Sequence, residues 1–358
     1  MKKKQNTNLH ADTGKSGYGL FAVLVLLLSG LFFSNLLLGS VYIPFREVMT
    51  VLTGGEASRE TWTQILLNFR IPRAVTALLA GAGLALSGLQ MQTLFRNPLA
   101  GPFVLGISSG ASLGVALLML GAGLLGGIAL PGGLHDSQLS TAIAASLGAI
   151  GVLFLILLMA GKMVDNVTLL IAGLMLGYFT SSLVSILMYF SGAEDIQAYL
   201  IWTFGSFANV TVDQLWILAP LVLAGCMITV YLMKWMNALL LGPDYAKSLG
   251  IPMQQARLWL IISTGVLAGT ITAFCGPIAF IGIAIPHLAR AIFDTGNHKI
   301  LIPATLLIGA GVALLCDIIS QVPGYQATLP INAVTSIIGA PIVLWVVIRM
   351  KNLKSSFG

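Results

Sequence analysis

Long apolar runs alternate with short polar segments along almost the whole of this 358-residue chain. Each run is close to the length of about 20 residues that an α-helix needs to cross a hydrocarbon layer. The run that contains Pro286 is the shortest of them. The pattern predicts an all-α membrane protein with about ten spanning helices, at residues 20–38, 72–94, 102–122, 139–161, 167–190, 213–233, 256–274, 278–293, 300–319 and 333–350.

Basic residues are unequally divided between the two sets of segments that join these helices. With the N-terminus inside, only four of the 18 lysines and arginines fall in outer segments: Arg46, Arg59, Arg70 and Arg73. Acidic residues are more frequent in the outer segments. Cytoplasmic segments of membrane proteins are enriched in Lys and Arg, so both termini are predicted to be cytoplasmic. The inner set is Lys2, Lys3, Lys4, Lys15, Arg96, Lys162, Lys234, Lys247, Arg257, Arg290, Lys299, Arg349, Lys351 and Lys354.

The predicted helices form one domain, residues 20–350, flanked by cytoplasmic tails at 1–19 and 351–358. The first apolar run is longer than the core of a cleaved signal peptide and lacks a small-residue cleavage site. We therefore expect the first helix to be retained.

Two connecting segments are long enough to carry structure of their own. The inner segment 234–255 predicts one or two short helices broken at Gly242-Pro243 and at Gly250-Ile251-Pro252. The outer segment 191–212 mixes aromatic with polar residues, which is typical of an interfacial helix with Trp202 and Phe204 at the level of the headgroups.

The composition excludes several classes of protein. Hydrophobic residues make up 57% of the chain and charged residues 8%, and the mean hydropathy is +0.94, whereas a soluble domain carries about 25% charged residues. The net charge of +6 comes from basic residues set singly between apolar runs, which fits a membrane face better than a nucleic acid. Cys226, Cys275 and Cys316 have no metal-binding spacing, and the four histidines form no i, i+4 pair. We expect no metal and no other cofactor on this chain.

Two short motifs suggest enzymes, but their surroundings do not. LHADTGKS, Leu9 to Ser16, ends like a phosphate-binding loop, yet it lacks the first glycine and a preceding strand. GISSG, Gly106 to Gly110, matches a nucleophile elbow, but it lies in an apolar helical run. Gly106, Gly110 and Gly114 recur every four residues, so close helix packing is the favoured interpretation and an intramembrane serine protease a remote alternative.

The membrane cores of the predicted helices carry almost no ionisable residues, and Asp165, Asp294 and Asp317 fall at helix ends. A charge at the bilayer centre usually marks ion or proton coupling. Its absence argues against a carrier with an acidic relay, although coupling through backbone carbonyls stays open.

Three blocks of sequence resemble one family of membrane proteins. RIPR…GAGLALSGLQMQTLFRNPLAGPFVLGISSGA, GPIAFIGIAIPHLAR and LPINAVTSIIGAPIVLWVVIR are similar to the signature blocks of FecCD-type ABC-transporter permeases, which import iron-siderophores, haem and cobalamin. The similarity runs from about residue 20 to 350. It implies a homodimer of ten-helix subunits in the bacterial inner membrane, two cytoplasmic ATPase subunits that hold ATP and Mg, and a periplasmic or lipid-anchored binding protein.

The resemblance also implies roles for residues at both membrane faces. Arg70 and Arg73 stand three apart on one helix face and would dock acidic residues of the binding protein, with lipid-headgroup contact as the alternative. The cytoplasmic gate would be lined by Asn97, Leu99, Asn166 and Thr168, and the segment that docks on the ATPase would include Gly242, Tyr245, Ala246, Leu249 and Gly250.

The block GPIAFIGIAIPHLAR combines prolines with a basic end. Gly276-Pro277 is expected to start a helix, Pro286 to kink its inner half, and His287 and Arg290 to reach the cytoplasm. One departure from the family pattern is Gln321, which stands in a region where a basic residue often helps docking.

Two function classes therefore compete, and neither names the cargo. The leading interpretation is the permease subunit of an ATP-driven importer of a chelated metal ligand. The alternative is a secondary transporter that works alone on an ion gradient. Transport that requires a separate ATPase would distinguish the first from the second.

Overall fold

The computed structural model describes residues 13–39, 41–121, 138–163, 165–322 and 328–353. Within these ranges the chain is helical and forms no strand. The helices are α1 Thr13–Leu37, α2 Phe45–Leu52, α3 Glu60–Ile65, α4 Ile71–Phe95, α5 Ile107–Met119, α6 Gln138–Lys162, α7 Asn166–Tyr189, α8 Ala193–Thr203, α9 Val212–Tyr231, α10 Met233–Leu240, α11 Pro243–Ser248, α12 Met253–Cys275, α13 Ile281–Phe293, α14 His298–Ser320 and α15 Ile331–Leu353. A π-helical turn at Leu66–Arg70 joins α3 to α4, and a 3-10 turn at Pro102–Leu105 precedes α5.

Each of the ten predicted spans coincides with one of these helices. Seven spans are long and apolar enough to cross a membrane, and three shorter apolar helices, α5, α13 and the described part of α15, account for the others. A short helix, α8, also forms in the outer segment 191–212, and two short helices, α10 and α11, form in the inner segment 234–255, as predicted. The fold class is confirmed.

The start predicted for the helix at 278–293 is wrong. Helix α12 ends at Cys275, and Gly276 then adopts a φ of 75°, which is left-handed backbone. Residues 276–280 are not helical, and α13 begins only at Ile281. Pro277 is therefore not in the first turn of a helix, because the left-handed residues on either side of it turn the chain away from the helical path.

Helix α4 lies at the centre of the molecule, packed against α9, α12, α13 and α14. Its interior side chains include Gln90, which is fully buried and makes three hydrogen bonds. Gln90 Nε2 donates to Thr229 Oγ1 at 2.5 Å and to Ser263 Oγ at 2.8 Å, and Thr264 Oγ1 donates to Gln90 Oε1 at 2.7 Å. Polar bonds between helices hold them together where lipid supplies no hydrophobic driving force, so this group fastens α4 to α9 and α12.

The glycines of GISSG bring helices into close contact, as predicted. A Cβ on Gly110 would lie 2.6 Å from the carbonyl oxygen of Gly148, and Gly114 approaches the backbone of the same helix, α6. Gly106 instead approaches the backbone of α7 at Gly173. The repeat of small residues is thus used for packing on two neighbouring helices.

We expect Gly110→Ala to destabilise the protein, because its methyl group would force α5 and α6 apart. Gly151 on α6 is the matched control, since a Cβ there meets no atom within 4 Å. Gly151→Ala should be neutral or should stabilise by up to about 1 kcal/mol, because alanine favours the helix. Thermal unfolding of both variants in the same detergent tests this. An equal melting temperature for the two would contradict the packing.

Candidate functional site

Arg70 lies at the outer end of the membrane domain and turns inward. Its side chain is 7% exposed. Its Nη1 donates to the carbonyl of Leu36 at 2.6 Å, and its Nη2 donates to the carbonyl of Val41. The guanidinium therefore ties the end of α1 and the segment after it to the π-helical turn before α4.

Arg73 forms an ion pair inside the chain. Its Nε donates to Asp317 Oδ1 at 2.8 Å and to Oδ2 at 3.0 Å, and its Nη2 donates to Ser320 Oγ at 3.1 Å. Asp317 is 1% exposed, whereas 15% of the Arg73 side chain remains accessible. Docking of a separate protein by Arg70 and Arg73 stays a prediction, but any docking carboxylate would have to share them with these internal acceptors.

Asp317 gathers further donors around this pair. Asn35 Nδ2 donates to its Oδ2 at 2.7 Å, and Gln321 Nε2 donates to the same atom at 2.9 Å. Gln321, which departs from the family pattern, is thus a buried part of this outer network. Sequence reasoning missed the network, although a lone aspartate near the end of an otherwise apolar helix was a signal that a cation would be close.

The predicted gate turn follows α4 at the inner side. Arg96 ends the helix in left-handed backbone, with φ 47° and ψ 35°. Asn97 Oδ1 accepts a hydrogen bond from the Leu99 amide at 2.9 Å, which closes a tight turn, and Leu99 is 42% exposed. The turn therefore holds an apolar side chain out at its tip, as a plug would require.

One side chain from the start of α7 contacts the end of α4, next to this turn. Asn166 Nδ2 donates to the carbonyl of Leu94 at 2.8 Å, so it holds the end of α4. Thr168 does not make this contact, and its amide and hydroxyl both bond to Asp165 Oδ2 at 3.2 Å. Bonds from the amides of Thr168 and Val167 hold the pKa of Asp165 below its usual value. Asn97 and Leu99 thus belong to the turn and Asn166 holds the end of α4 before it, whereas Thr168 bonds to Asp165, the residue that caps α7.

The basic end of α13 packs against the gate turn and the end of α4. His287 is 7% exposed, and its Nε2 donates to the carbonyl of Pro98 at 2.5 Å. Arg290 Nη1 donates to Gln92 Oε1 at 2.6 Å. Both side chains therefore fold back onto α4 and its turn, and the expectation that this end of the helix reaches the cytoplasm stays a prediction. Helix α13 continues on both sides of the buried Pro286, and whether the proline bends or moves stays a prediction.

The inner segment presents an apolar stripe to solvent. Leu241, Tyr245 and Leu249 recur every four residues and are 63%, 52% and 57% exposed. Ala246, which was expected beside them, is fully buried, because the helix α11 rests on that side. Gly242 and Gly250 adopt φ values of 108° and 78°, so both ends of the segment need the freedom of glycine.

The gate turn and the inner segment meet. A Cβ on Gly242 would lie 3.9 Å from Arg96 Nη1, so the residue that ends α4 reaches the residue that begins the segment. A displacement of the segment by a partner would therefore act on the end of α4 directly.

The serine motif has no catalytic surroundings in the described structure. Ser108 is 6% exposed, and its nearest polar partner is the hydroxyl of Thr272, at 3.2 Å. The first residues of LHADTGKS lie outside the described residues. Among the described residues no three His, Cys, Asp or Glu side chains gather as a metal site would require, and Cys226, Cys275 and Cys316 are free thiols.

The family model, the relatives and the solved structure that match this chain all describe transport proteins. The model of the FecCD transport family matches residues 25–349. The vitamin B12 import system permease protein BtuC of Klebsiella pneumoniae is 36% identical over 346 residues, which is 96% of this chain and 98% of that protein. BtuC of Salmonella arizonae is 37% identical over 283 residues, covering 79% of this chain and 82% of that protein. A solved structure described as an inward-facing conformation of a metal-chelate type ABC transporter superposes with a TM-score of 0.80 at 31% identity, covering 93% of this chain and 99% of that one.

Proposed function

Because this chain belongs to the FecCD transport family, we propose that it is the path through which an ATP-binding-cassette importer moves a chelated metal ligand into the cytoplasm. The chain is a permease of the bacterial inner membrane, in keeping with its apolar helices and its BtuC relatives. The proposed cargo is a ferric siderophore, haem or cobalamin. The two BtuC relatives, named for vitamin B12 import, make cobalamin the first cargo to test.

The observation that carries this proposal is the exposed apolar stripe, which lies next to Gly242, the residue that approaches Arg96 at the end of α4. Leu241, Tyr245 and Leu249 form a surface that water solvates poorly, on the side where an ATPase would dock. Arg96 links this surface to the end of α4. A docked ATPase could therefore move the gate by displacing one short helix, whereas a carrier that works alone has no use for such a surface.

The ion-gradient alternative receives less support. Among the described residues Asp317 is the only buried acidic side chain, and it is neutralised by Arg73. A proton or sodium relay needs a carboxylate that changes its charge or its ligand during the cycle. A carboxylate with four hydrogen-bond contacts from three side chains is poorly suited to that change.

The proposed assembly contains two copies of this chain, two ATPase subunits that hold ATP and Mg, and a binding protein that delivers cargo from outside, all within membrane lipid. Nucleic acid has no place in it. Docking of the binding protein is proposed at Arg70 and Arg73, with the exposed part of Arg73 as the point of first contact. No cofactor is assigned to this chain.

The inner gate is proposed to lie at the turn of residues 97–101. Leu99 would obstruct the path, while Asn97 holds the turn through the Leu99 amide and Asn166 holds the end of α4 before the turn. His287 would fix the carbonyl of Pro98 from the opposite helix. Opening of the gate then requires these hydrogen bonds to lengthen or to change partners. Motion of the inner segment could cause this through Arg96.

Reconstitution in proteoliposomes tests the proposed function. Vesicles with this chain, its ATPase and its binding protein should accumulate cobalamin, haem or a ferric siderophore only when ATP is present on the side of the membrane where the ATPase is bound. Vesicles with this chain alone and an imposed proton or sodium gradient should accumulate none. Uptake by the chain alone on a gradient would overturn the proposal.

We expect His287→Ala to loosen the gate turn, because the Pro98 carbonyl loses its donor. The loss of one buried hydrogen bond costs about 1–3 kcal/mol. ATP hydrolysis without cargo should therefore rise, and cargo moved per ATP should fall. His287→Gln, which keeps a donor, should restore much of the coupling. Equal ratios of transport to ATP hydrolysis in the wild type and His287→Ala would contradict a role at the gate.

A further inference from the structure

Helices α5 and α13 are a matched pair of half-length elements. Each has 13 residues and follows a Gly-Pro sequence, at Gly101-Pro102 and at Gly276-Pro277. Each is entered through a residue in left-handed backbone, Gly106 with φ 71° and Phe280 with φ 66°. Because α4 runs inward and α12 runs outward in the predicted topology, the segments that lead into the two short helices enter from opposite sides of the membrane.

The starts of these two elements touch each other. A Cβ on Gly101 would lie 2.8 Å from Ile283 Cγ1, and one on Gly282 would lie 2.7 Å from Pro102 Cδ. A pair of short, Gly/Pro-interrupted membrane segments in corresponding halves of a transporter is a pointer to its substrate site, because such segments expose polar backbone and side chains at depth.

A cavity of about 260 Å³ lies beside α5 and is lined in part by Phe103 and Pro277, which belong to the segments that lead into α5 and α13. It is lined by serines of α5 and of α7, by Tyr199 of α8 and by Pro277: Ser108, Ser109, Ser112 and Ser181 supply the hydroxyl groups. The hydroxyl of Ser108 bonds to the hydroxyl of Thr272. Ser109 is half-buried and Ser181 is exposed, so the cavity opens beside α7.

The lining has hydroxyl groups and no charged side chain. Serine and tyrosine hydroxyls both donate and accept hydrogen bonds. They suit uncharged amides, hydroxyls and hydroxamates, whereas a carboxylate would find no cation there. Pockets that enclose a whole drug-sized ligand measure about 300–1,000 Å³, so a cavity of this size fits a substituent of a large chelate and not the whole molecule.

We propose that this serine-lined cavity binds the uncharged, hydrogen-bonding periphery of the cargo while the cargo crosses the membrane. The inference rests on the proposed function, because the ligand that it assigns to the cavity is the transported cargo. It adds a cargo class: chelates whose outer groups are amides or hydroxyls are preferred over those, such as haem, whose outer polar groups are carboxylates.

Filling the cavity tests this inference in the complete complex with its ATPase and binding protein. Ser109→Leu and Ser181→Leu place a branched apolar side chain in the cavity, and Ser109→Ala removes a hydroxyl without adding volume. Ser182→Leu is the matched control, because Ser182 is exposed on the same helix, bonds to the carbonyl of Tyr178 and does not line the cavity. The probes are cyanocobalamin, a ferric trihydroxamate siderophore and haem, each measured as molecules taken up per ATP hydrolysed.

Uptake per ATP of cyanocobalamin or of the trihydroxamate should fall about tenfold in the leucine variants, as expected for the loss of one to two hydrogen bonds. The Ser182→Leu control should stay within about twofold of the wild type, and Ser109→Ala should give a smaller loss of the same kind. Equal uptake by filled and wild-type complexes would overturn the inference, as would a wild type that carries haem alone. A wild type that carries no chelate with ATP would instead remove the proposed function, and the inference with it.

Discussion

Asp317→Ala is expected to destabilise the protein by about 3–5 kcal/mol, the cost of removing one partner from a buried ion pair. Arg73 would remain largely buried, without its carboxylate, and Asn35 and Gln321 would lose their shared acceptor. The outer ends of α1, α4 and α14 should separate. Thermal unfolding in detergent measures the loss, and limited proteolysis of the outer segments locates it.

Two further variants separate the charge pair from a general effect of mutation. Asp213→Ala, at an exposed position on the outer side, should change stability by no more than about 0.5 kcal/mol. The double variant Arg73→Met/Asp317→Leu should be much less damaged than Asp317→Ala, because no unpaired charge is left behind. A double variant whose loss of stability equals the summed losses of the two single variants would show that the pair is not coupled.

Leu249→Glu, combined with Tyr245→Glu, is expected to prevent assembly with the ATPase. The two side chains are 57% and 52% exposed and belong to the apolar stripe that we propose as the docking surface. Charges at the centre of an interface must be desolvated without a partner, and hot-spot losses reach about 2–4 kcal/mol for each residue. Affinity should therefore fall by a factor of at least about a hundred. Co-purification of the ATPase with tagged permease measures it.

The control for this prediction lies on the same helix. Ser248→Glu introduces the same charge beside the stripe, at an exposed position outside it. It should leave the complex intact. Ala246→Leu should also weaken assembly, but through a different cause, since Ala246 is buried and a larger side chain would lift α11 from its seat. ATPase that co-purifies equally with the Leu249→Glu variant and with wild type would refute the docking surface.

Several elements followed from local sequence alone. The ten spans are set by the lengths of apolar runs, and the breaks around α11 are set by Gly242-Pro243 and by Gly250 with Pro252. Both signals are read within a few residues, because backbone polar groups in lipid must be satisfied by the helix itself. The start of α13 was misplaced, because Gly-Pro is compatible both with a helix start and with the extended segment that the structure has there.

The residues that contact each polar side chain could not be predicted from local sequence in this way. Helices α6 and α7 are apolar on nearly every side, so their pattern does not indicate which face meets the protein and which meets lipid. The burial of Ala246, amid exposed neighbours in a six-residue helix, is likewise a property of what lies beneath it.

By itself, then, the sequence determined the family, the number of spans and the places where the chain turns, since these depend on the signature blocks, on the lengths of apolar runs and on local turn chemistry. Only the tertiary structure decided that Arg73 pairs with Asp317, 244 positions away, and that His287 holds the carbonyl of Pro98, 189 positions away. The same is true of the cavity between α5, α7 and α8. These contacts join segments that are remote in the chain, and a hydrogen bond or ion pair depends on distances that only helix packing fixes.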